Sequence, residues 1–229
     1  MRILLFLSFL GILSEIKKRK EVKIMRKKLI AAMIAGAIMT ITGMPVQAAE
    51  GEKDVVVAQA DGNVNQDAVD RANELLNAMP ERLLESFIDR GWRFYVTDKN
   101  IAYDILGGEF NSVKGVTDFD NHEIFIEQRE AAVETAVVHE FGHYLDYING
   151  NQSQTAEFSD IFSAESNAFV KTFNVDFYYD IGEFFADGVY RYYDGERETL
   201  NNACPRLTAF IDNVVAMNPE VPLTDVFTD

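Results

Sequence analysis

Hydrophobic residues recur every three or four positions along most of the chain, and this spacing predicts a largely helical protein. Helices are predicted over residues 65–79 and 81–89, each followed by a proline or a glycine that ends it. A longer helix is predicted through residues 133–145, and Asn149-Gly150 provides its stop. Three further helices are predicted at about 155–169, 182–193 and 205–217.

Two short segments have the composition of β-strands. Residues 92–97 are rich in aromatic and β-branched side chains, and residues 122–128 alternate between polar and apolar positions. The second segment directly precedes the long helix, so we expect it to border a cleft beside that helix. Residues 101–116 stay unassigned because three glycines interrupt them.

The N-terminal part of the chain has the pattern of an export signal. A basic run at 25–28 is followed by an apolar segment at 29–44, and Val46-Gln47-Ala48 then predicts cleavage after Ala48. A membrane anchor is the alternative. The apolar run is short for a membrane span, and an acidic, polar stretch follows it at once. We therefore expect a secreted, extracellular protein.

The export signal also sets the expected domain boundaries. Residues 1–48 are expected to lie outside the fold. We expect translation to start at Met25, with residues 1–24 either untranslated or part of a longer basic region. Residues 49–64 are expected to be a flexible acidic lead. Residues 65–229 are expected to form a single domain.

Charge and cysteine content narrow the possible partners. The 181 residues after the signal carry 12 Lys and Arg against 35 Asp and Glu, a net charge of −23. Such a surface repels phosphate backbones and anionic lipid, so we expect no nucleic acid and no stable membrane association after signal cleavage. The single cysteine, Cys204, excludes an internal disulfide and is expected to pack in the core. We expect a monomer.

The segment His139-Glu140-Phe141-Gly142-His143 carries the most specific chemistry in the chain. On a helix, positions four apart share a face, so His139 and His143 can bind one metal ion. Glu140 borders the same pocket and can act as a general base on water. This is the HExxH pattern of zinc peptidases, and it requires the helix that the hydrophobic spacing predicts. Zinc is therefore the expected cofactor.

A third metal ligand has to come from a glutamate, because no histidine follows His143. The candidates are Glu157, Glu165 and Glu183. Glu183 is favoured over Glu165 because Asp187 lies one turn after it and could brace a ligating histidine. Asp146 is better placed to accept a hydrogen bond from a ligating imidazole than to reach the metal.

These motifs together resemble a known family. The HExxH segment with Asp146, the segment Glu183-Phe184-Phe185-Ala186-Asp187 and the tail 202–211 are similar to the catalytic domain of anthrax lethal factor and its secreted relatives. These relatives include the Pro-Pro endopeptidases. The resemblance covers roughly residues 81–215 and implies an α+β gluzincin-type fold. That fold is a mostly helical metallopeptidase domain with a small mixed sheet bordering the active-site cleft.

The resemblance also implies roles for single residues. Zinc would be held by His139, His143 and Glu183, with Glu140 as the catalytic base. The family places a catalytic tyrosine seven residues before the third ligand. This chain has Asp176 there, so Tyr178 and Tyr179 are the candidates for a donor to the oxyanion. The alternative is that both tyrosines only pack.

Two further departures from the family bear on function. The family usually has glutamate where this chain has Asp187, and the segment 105–112 lacks the tryptophan that the Pro-Pro endopeptidases carry before the cleft strand. Pro-Pro specificity is therefore not expected. The sequence predicts a secreted zinc metalloendopeptidase that acts on a peptide or protein substrate. The alternative is a non-catalytic binding protein that keeps the zinc scaffold.

Overall fold

A mixed sheet of five strands packs against the helix that carries the paired histidines. The computed structural model describes residues 55–108, 113–175 and 180–217, together with the backbone of residues 3–7. The strands are β1 (Ile3–Leu7), β2 (Ala58–Asp61), β3 (Arg93–Thr97), β4 (Val113–Asp118) and β5 (Glu123–Glu127). They lie in the order β1-β4-β5-β3-β2. β2, β3 and β5 run parallel, whereas β4 is antiparallel to both β5 and β1.

Helices make up most of the described chain. They are α1 (Gln66–Leu76), α2 (Glu81–Asp89), α3 (Glu130–Ile148), α4 (Ala156–Phe173), α5 (Ile181–Tyr193), α6 (Arg197–Ala203) and α7 (Pro205–Ala216). A π-helical turn, Ile101–Ile105, precedes β4, and a 3-10 turn, Gln152–Gln154, follows α3. This architecture confirms the predicted α+β class, a mostly helical domain with a small mixed sheet. Within the described ranges, none of the helices combines the length and apolar character that crossing a membrane requires.

The hydrophobic spacing located most elements correctly. The six helices that it predicted and the strands β3 and β5 are confirmed, with ends that differ by a few residues. It missed α6, which spans only seven residues. It also missed β4, because Gly115 lies in the middle of that strand and suggests a break in the sequence.

The start of the described domain differs from the flexible lead expected for residues 49–64. Residues 58–61 form β2, parallel to β3. Asn73 of α1 and Asn77, the residue directly after α1, hold the extended backbone before this strand. The side chain of Asn73 accepts from the backbone N–H groups of Val57 and Ala58 at 2.7 and 2.8 Å. Asn77 accepts from the N–H of Val55 at 2.9 Å. These long-range hydrogen bonds satisfy backbone groups that would otherwise need water, and they are not visible in local sequence.

Strand β1 also lies in a segment that the sequence analysis excluded from the fold. Its backbone pairs with β4 on the side away from β5, with Leu5 opposite Val116. The five residues of this strand are all apolar, and such a run has the composition of a strand that can complete a sheet edge. β1 and the described residues from 55 onward belong to the same compact unit.

A close contact between α3 and α5 brings together the two helices that carry the site. A Cβ added at Gly142 would lie 3.0 Å from the Cα of Ala186, so the glycine lets the two backbones approach closely. Helix α3 is buried along most of its length. Aromatic rings pack around it, and the ring centroids of Phe87, Trp92 and Tyr144 lie 4.8–5.9 Å apart. Trp92, 4% exposed, is part of this core.

Candidate active site

The two histidines of the HExxH segment lie side by side on α3. They are four residues apart, so their rings project from the same face of the helix. The Nε2 atoms of His139 and His143 are 3.1 Å apart, and the residues are only 0% and 2% exposed. Two imidazoles held this close in a buried site form a ready pair of nitrogen ligands.

Helix α5 brings a carboxylate to the same point. Its start is fixed by Asp180, whose side chain accepts from the N–H of Gly182 at 2.8 Å. The Glu183 carboxylate is then 3.2 Å from Nε2 of His139 and 3.5 Å from Nε2 of His143. One ligand atom from each of these residues lies within 4.8 Å of the others. Among the described residues, His139, His143 and Glu183 are the potential metal ligands whose side chains lie close enough together to hold one ion.

The other glutamates weighed as a third ligand lie elsewhere. Glu157 is exposed in the first turn of α4. The Glu165 carboxylate accepts hydrogen bonds from the backbone N–H groups of Arg206 and Leu207 at 3.0 and 2.9 Å. It therefore satisfies the free donors at the start of α7, which has no side-chain cap of its own. The structure brings Glu183 to the histidines and uses Glu165 as a cap.

Asp187 orients one of the two imidazoles. Its Oδ1 lies 2.9 Å from Nδ1 of His139, and both residues are buried. A hydrogen bond donated from Nδ1 leaves Nε2 facing Glu183, which is the arrangement of a metal-ligating histidine braced by a carboxylate. The Asp187 side chain thus reaches the ring, although it is shorter than the glutamate expected at this position from the resemblance to the lethal factor family. Burial disfavours protonation of His139, but the carboxylates of Asp187 and Glu183 outweigh it and raise the pKa of the ring to about 10.

Asp146 has a different role from the one expected for it. Instead of bracing an imidazole, its two carboxylate oxygens accept from the backbone N–H of Ser153 at 2.7 Å and from its Oγ at 2.6 Å. The 3-10 turn after α3 folds back and brings Ser153 to this carboxylate. Asp146 is close enough to His143 for an electrostatic interaction. Its hydrogen bonds fix the turn that leaves the active helix.

Glu140 is fully buried, and it is close enough to His139 and His143 for electrostatic interactions with both. Its Oε2 accepts a hydrogen bond from Oγ1 of Thr117 at 2.8 Å, and its Oε1 has no hydrogen-bond partner among the described residues. Burial raises the pKa of the Glu140 carboxyl, although the neighbouring histidines and Thr117 pull it the other way. A carboxylate with a raised pKa is a better proton acceptor, as a general base requires.

The strand beside this carboxylate is β4, not the predicted segment 122–128. That segment forms β5, which lies inside the sheet between β4 and β3. Gly115 and Thr117 of β4 face Glu140 directly. The prediction was wrong about the strand beside Glu140 because Gly115 hides β4 in the sequence, and residues 122–128 are the nearest recognisable strand before α3.

Tyr178 and Tyr179 lie outside the described residues, which stop at Val175 and resume at Asp180. Their catalytic role stays a prediction from sequence. The remaining predicted residues, His139, Glu140, His143 and Glu183, come together in one site. Two imidazoles and a carboxylate form a donor set that suits zinc and other divalent transition metals.

The fold of this chain is shared with a protein of known structure. The solved structure of the Pro-Pro endopeptidase from Paenibacillus alvei superimposes with a TM-score of 0.56 at 18% sequence identity. The match covers 69% of this chain and 97% of that chain. At this identity the match establishes a shared fold.

The family described as anthrax toxin lethal factor, N- and C-terminal domain, matches residues 102–214. That stretch begins in the π-helical turn, ends in α7 and contains every residue of the candidate metal group. It confirms the resemblance to the lethal factor family predicted from the motifs. Among curated proteins, no sequence matches this chain. Together the two matches support a hydrolase of the peptidase class.

Proposed function

We propose that the protein is a zinc-dependent endopeptidase. The observation that carries this proposal is the convergence of His139, His143 and Glu183 on one buried point, with Glu140 beside them. Metal ligation needs the first three residues, and peptide hydrolysis needs a base that is not itself a ligand. The family match over residues 102–214 supports the same assignment.

Each residue would have a separate part in the reaction. Zinc held by His139, His143 and Glu183 would supply Lewis acidity toward water and the scissile carbonyl. Asp187 holds the His139 ring in the orientation that presents Nε2. Glu140 takes a proton from the attacking water and delivers it to the leaving amine. Tyr178 or Tyr179 would donate a hydrogen bond to the oxyanion.

The substrate is an extended peptide or a protein segment, and the enzyme acts outside the cell as a monomer. Export is supported by the basic, apolar and small-residue pattern of residues 25–48. N-terminal sequencing of the protein recovered from culture medium tests this and should give Ala49 as the first residue. Protein held in the membrane with residues 29–44 intact would contradict export.

An unbiased peptide library tests the activity directly. The purified domain should cleave internal peptide bonds, a chelator should abolish cleavage, and added zinc should restore it. Glu140→Ala should lower the rate by about 10²–10⁴ while zinc content stays at the wild-type level, because Glu140 transfers protons and does not bind metal. Zinc binding without any cleavage would favour the alternative, a binding protein on a zinc scaffold. Peptides containing Pro-Pro belong in the library, because the neighbour of the same fold is named for that specificity.

A further inference from the structure

Strand β4 forms the wall of the pocket that holds the Glu140 side chain. Thr117 Oγ1 lies 2.8 Å from the Glu140 Oε2 and 3.2 Å from the Glu140 backbone oxygen. Both residues are 0% exposed, so no water competes for this hydrogen bond from the solvent side. The hydroxyl has one proton to donate, and the shorter contact goes to the carboxylate.

Gly115, two residues earlier on β4, provides the space for the same carboxylate. A Cβ at this position would lie 2.7 Å from both Cγ and Oε1 of Glu140, closer than real Cβ atoms approach their neighbours. It would also lie 2.9 Å from Cδ1 of Ile126. The atoms that a methyl group would meet are mostly the end of one flexible side chain. Adding that methyl should therefore displace the Glu140 carboxylate before it disturbs the strand.

These two contacts define the direction in which Glu140 points. The terminal torsion of a glutamate is soft and roughly two-fold, so an unrestrained carboxylate samples a broad range of orientations. The hydroxyl of Thr117 fixes Oε2, and the missing side chain at 115 lets Oε1 lie beside the strand. Oε1 has no hydrogen-bond partner among the described residues and is the oxygen left to accept a proton.

We propose that Thr117 is a positioning residue for Glu140, and that Gly115 is glycine because the carboxylate occupies the space of its side chain. This inference rests on the proposed function, in which Glu140 is the general base. It assigns to β4 a part in catalysis that is separate from metal binding, since the group that could hold the metal consists of His139, His143 and Glu183.

Thr117→Val tests the hydrogen bond, because valine keeps the shape of the side chain and removes the hydroxyl. Loss of a hydrogen bond to a charged group typically changes a rate constant by about 10- to 100-fold, so kcat should fall by that factor. KM and zinc content should match the wild type. Thr117→Ser should recover most of the lost kcat because it restores the donor. A crystal structure of zinc-loaded Thr117→Val should show the Glu140 carboxylate rotated or in more than one orientation.

Gly115→Ala tests the space and gives a second route if the valine variant does not fold. It should lower kcat with unchanged zinc content and a displaced Glu140 carboxylate. Thr208→Val is the matched control, because Thr208 is also a buried threonine whose hydroxyl donates one hydrogen bond, to the Cys204 carbonyl at 3.0 Å. Its kcat should equal that of the wild type.

Cleavage by the wild type and its loss in Glu140→Ala must be measured first, since their failure would refute the proposed function itself. With those two established, wild-type kcat in Thr117→Val would overturn the positioning role. So would a serine variant no more active than the valine variant, or a loss of kcat that is accompanied by loss of zinc. In that last case β4 would act through the metal site and not through Glu140.

Discussion

Removing the carboxylate of Asp187 should weaken zinc binding without removing a ligand. Asp187 is 6% exposed, and its Oδ1 accepts from Nδ1 of His139 at 2.9 Å. In Asp187→Ala the ring loses both this partner and the negative charge that makes Nε2 a stronger ligand. Loss of such an outer carboxylate typically lowers metal affinity by about 10- to 100-fold. That factor corresponds to about 1.4–2.7 kcal/mol of binding free energy.

The Asp187→Asn variant separates the charge from the hydrogen bond. Its amide oxygen can still accept from Nδ1, so its loss of affinity should be smaller than that of Asp187→Ala. Asp160→Asn is the control, because Asp160 is an exposed aspartate of α4 that lies outside the metal group. Its affinity should not change.

The dissociation constant for zinc can be measured by competition with a chromophoric chelator at fixed pH, with urea unfolding of the metal-free proteins alongside. The expected order of affinity is wild type, Asp187→Asn and Asp187→Ala, from tightest to weakest. Equal dissociation constants for wild type and Asp187→Ala would refute the argument that this hydrogen bond prepares His139 for ligation.

Three other predictions follow from the contacts described above. Glu165→Ala should lower the free energy of unfolding in urea by about 1–3 kcal/mol, because two N–H groups at the start of α7 lose their acceptor, and zinc content should stay normal. Loss of zinc at normal stability would contradict the capping role. Asn73→Ala should lower the free energy of unfolding by about 2–4 kcal/mol, because four hydrogen bonds to the backbone are lost. Asn201→Ala, at an exposed asparagine, should be near neutral, and equal effects in the two variants would contradict the tethering of residues 57–58. Zinc binding at pH 8 should release a proton, because the pKa of His139 is raised to about 10 and the ring is protonated at pH 8 until a metal displaces the proton. Calorimetry in buffers of different ionisation enthalpy measures this release, and zinc binding without proton release would contradict the raised pKa.

The part of the site built on helices could be predicted from sequence. His139 and His143 lie four apart within an apolar segment that ends at Asn149-Gly150, so both the helix and the shared face could be predicted locally. Glu183 and Asp187 repeat the same spacing on α5. In each case the two functional residues lie about one helix turn apart on the same face, so they can be recognised without knowing the rest of the fold.

The roles that the sequence left open, or did not indicate at all, depend on contacts between distant parts of the chain. Glu165 has a ligand-like spacing from the histidines, but its carboxylate caps α7, about 40 residues further on. Thr117 and Gly115 gave no signal, because a glycine within a short strand usually indicates a break. The space that Gly115 leaves open is occupied by the Glu140 side chain of α3, a contact that no local pattern contains.

The proposed activity requires that His139, His143 and Glu183 hold one zinc ion and that this ion takes part in the hydrolysis of peptides. The most direct measurement is the cleavage rate of the chelator-stripped domain as zinc is added back. The rate should rise from zero and reach a plateau at about one equivalent of zinc. Cleavage that persists in the stripped protein, or a rate that stays at zero when zinc has bound, would contradict the account.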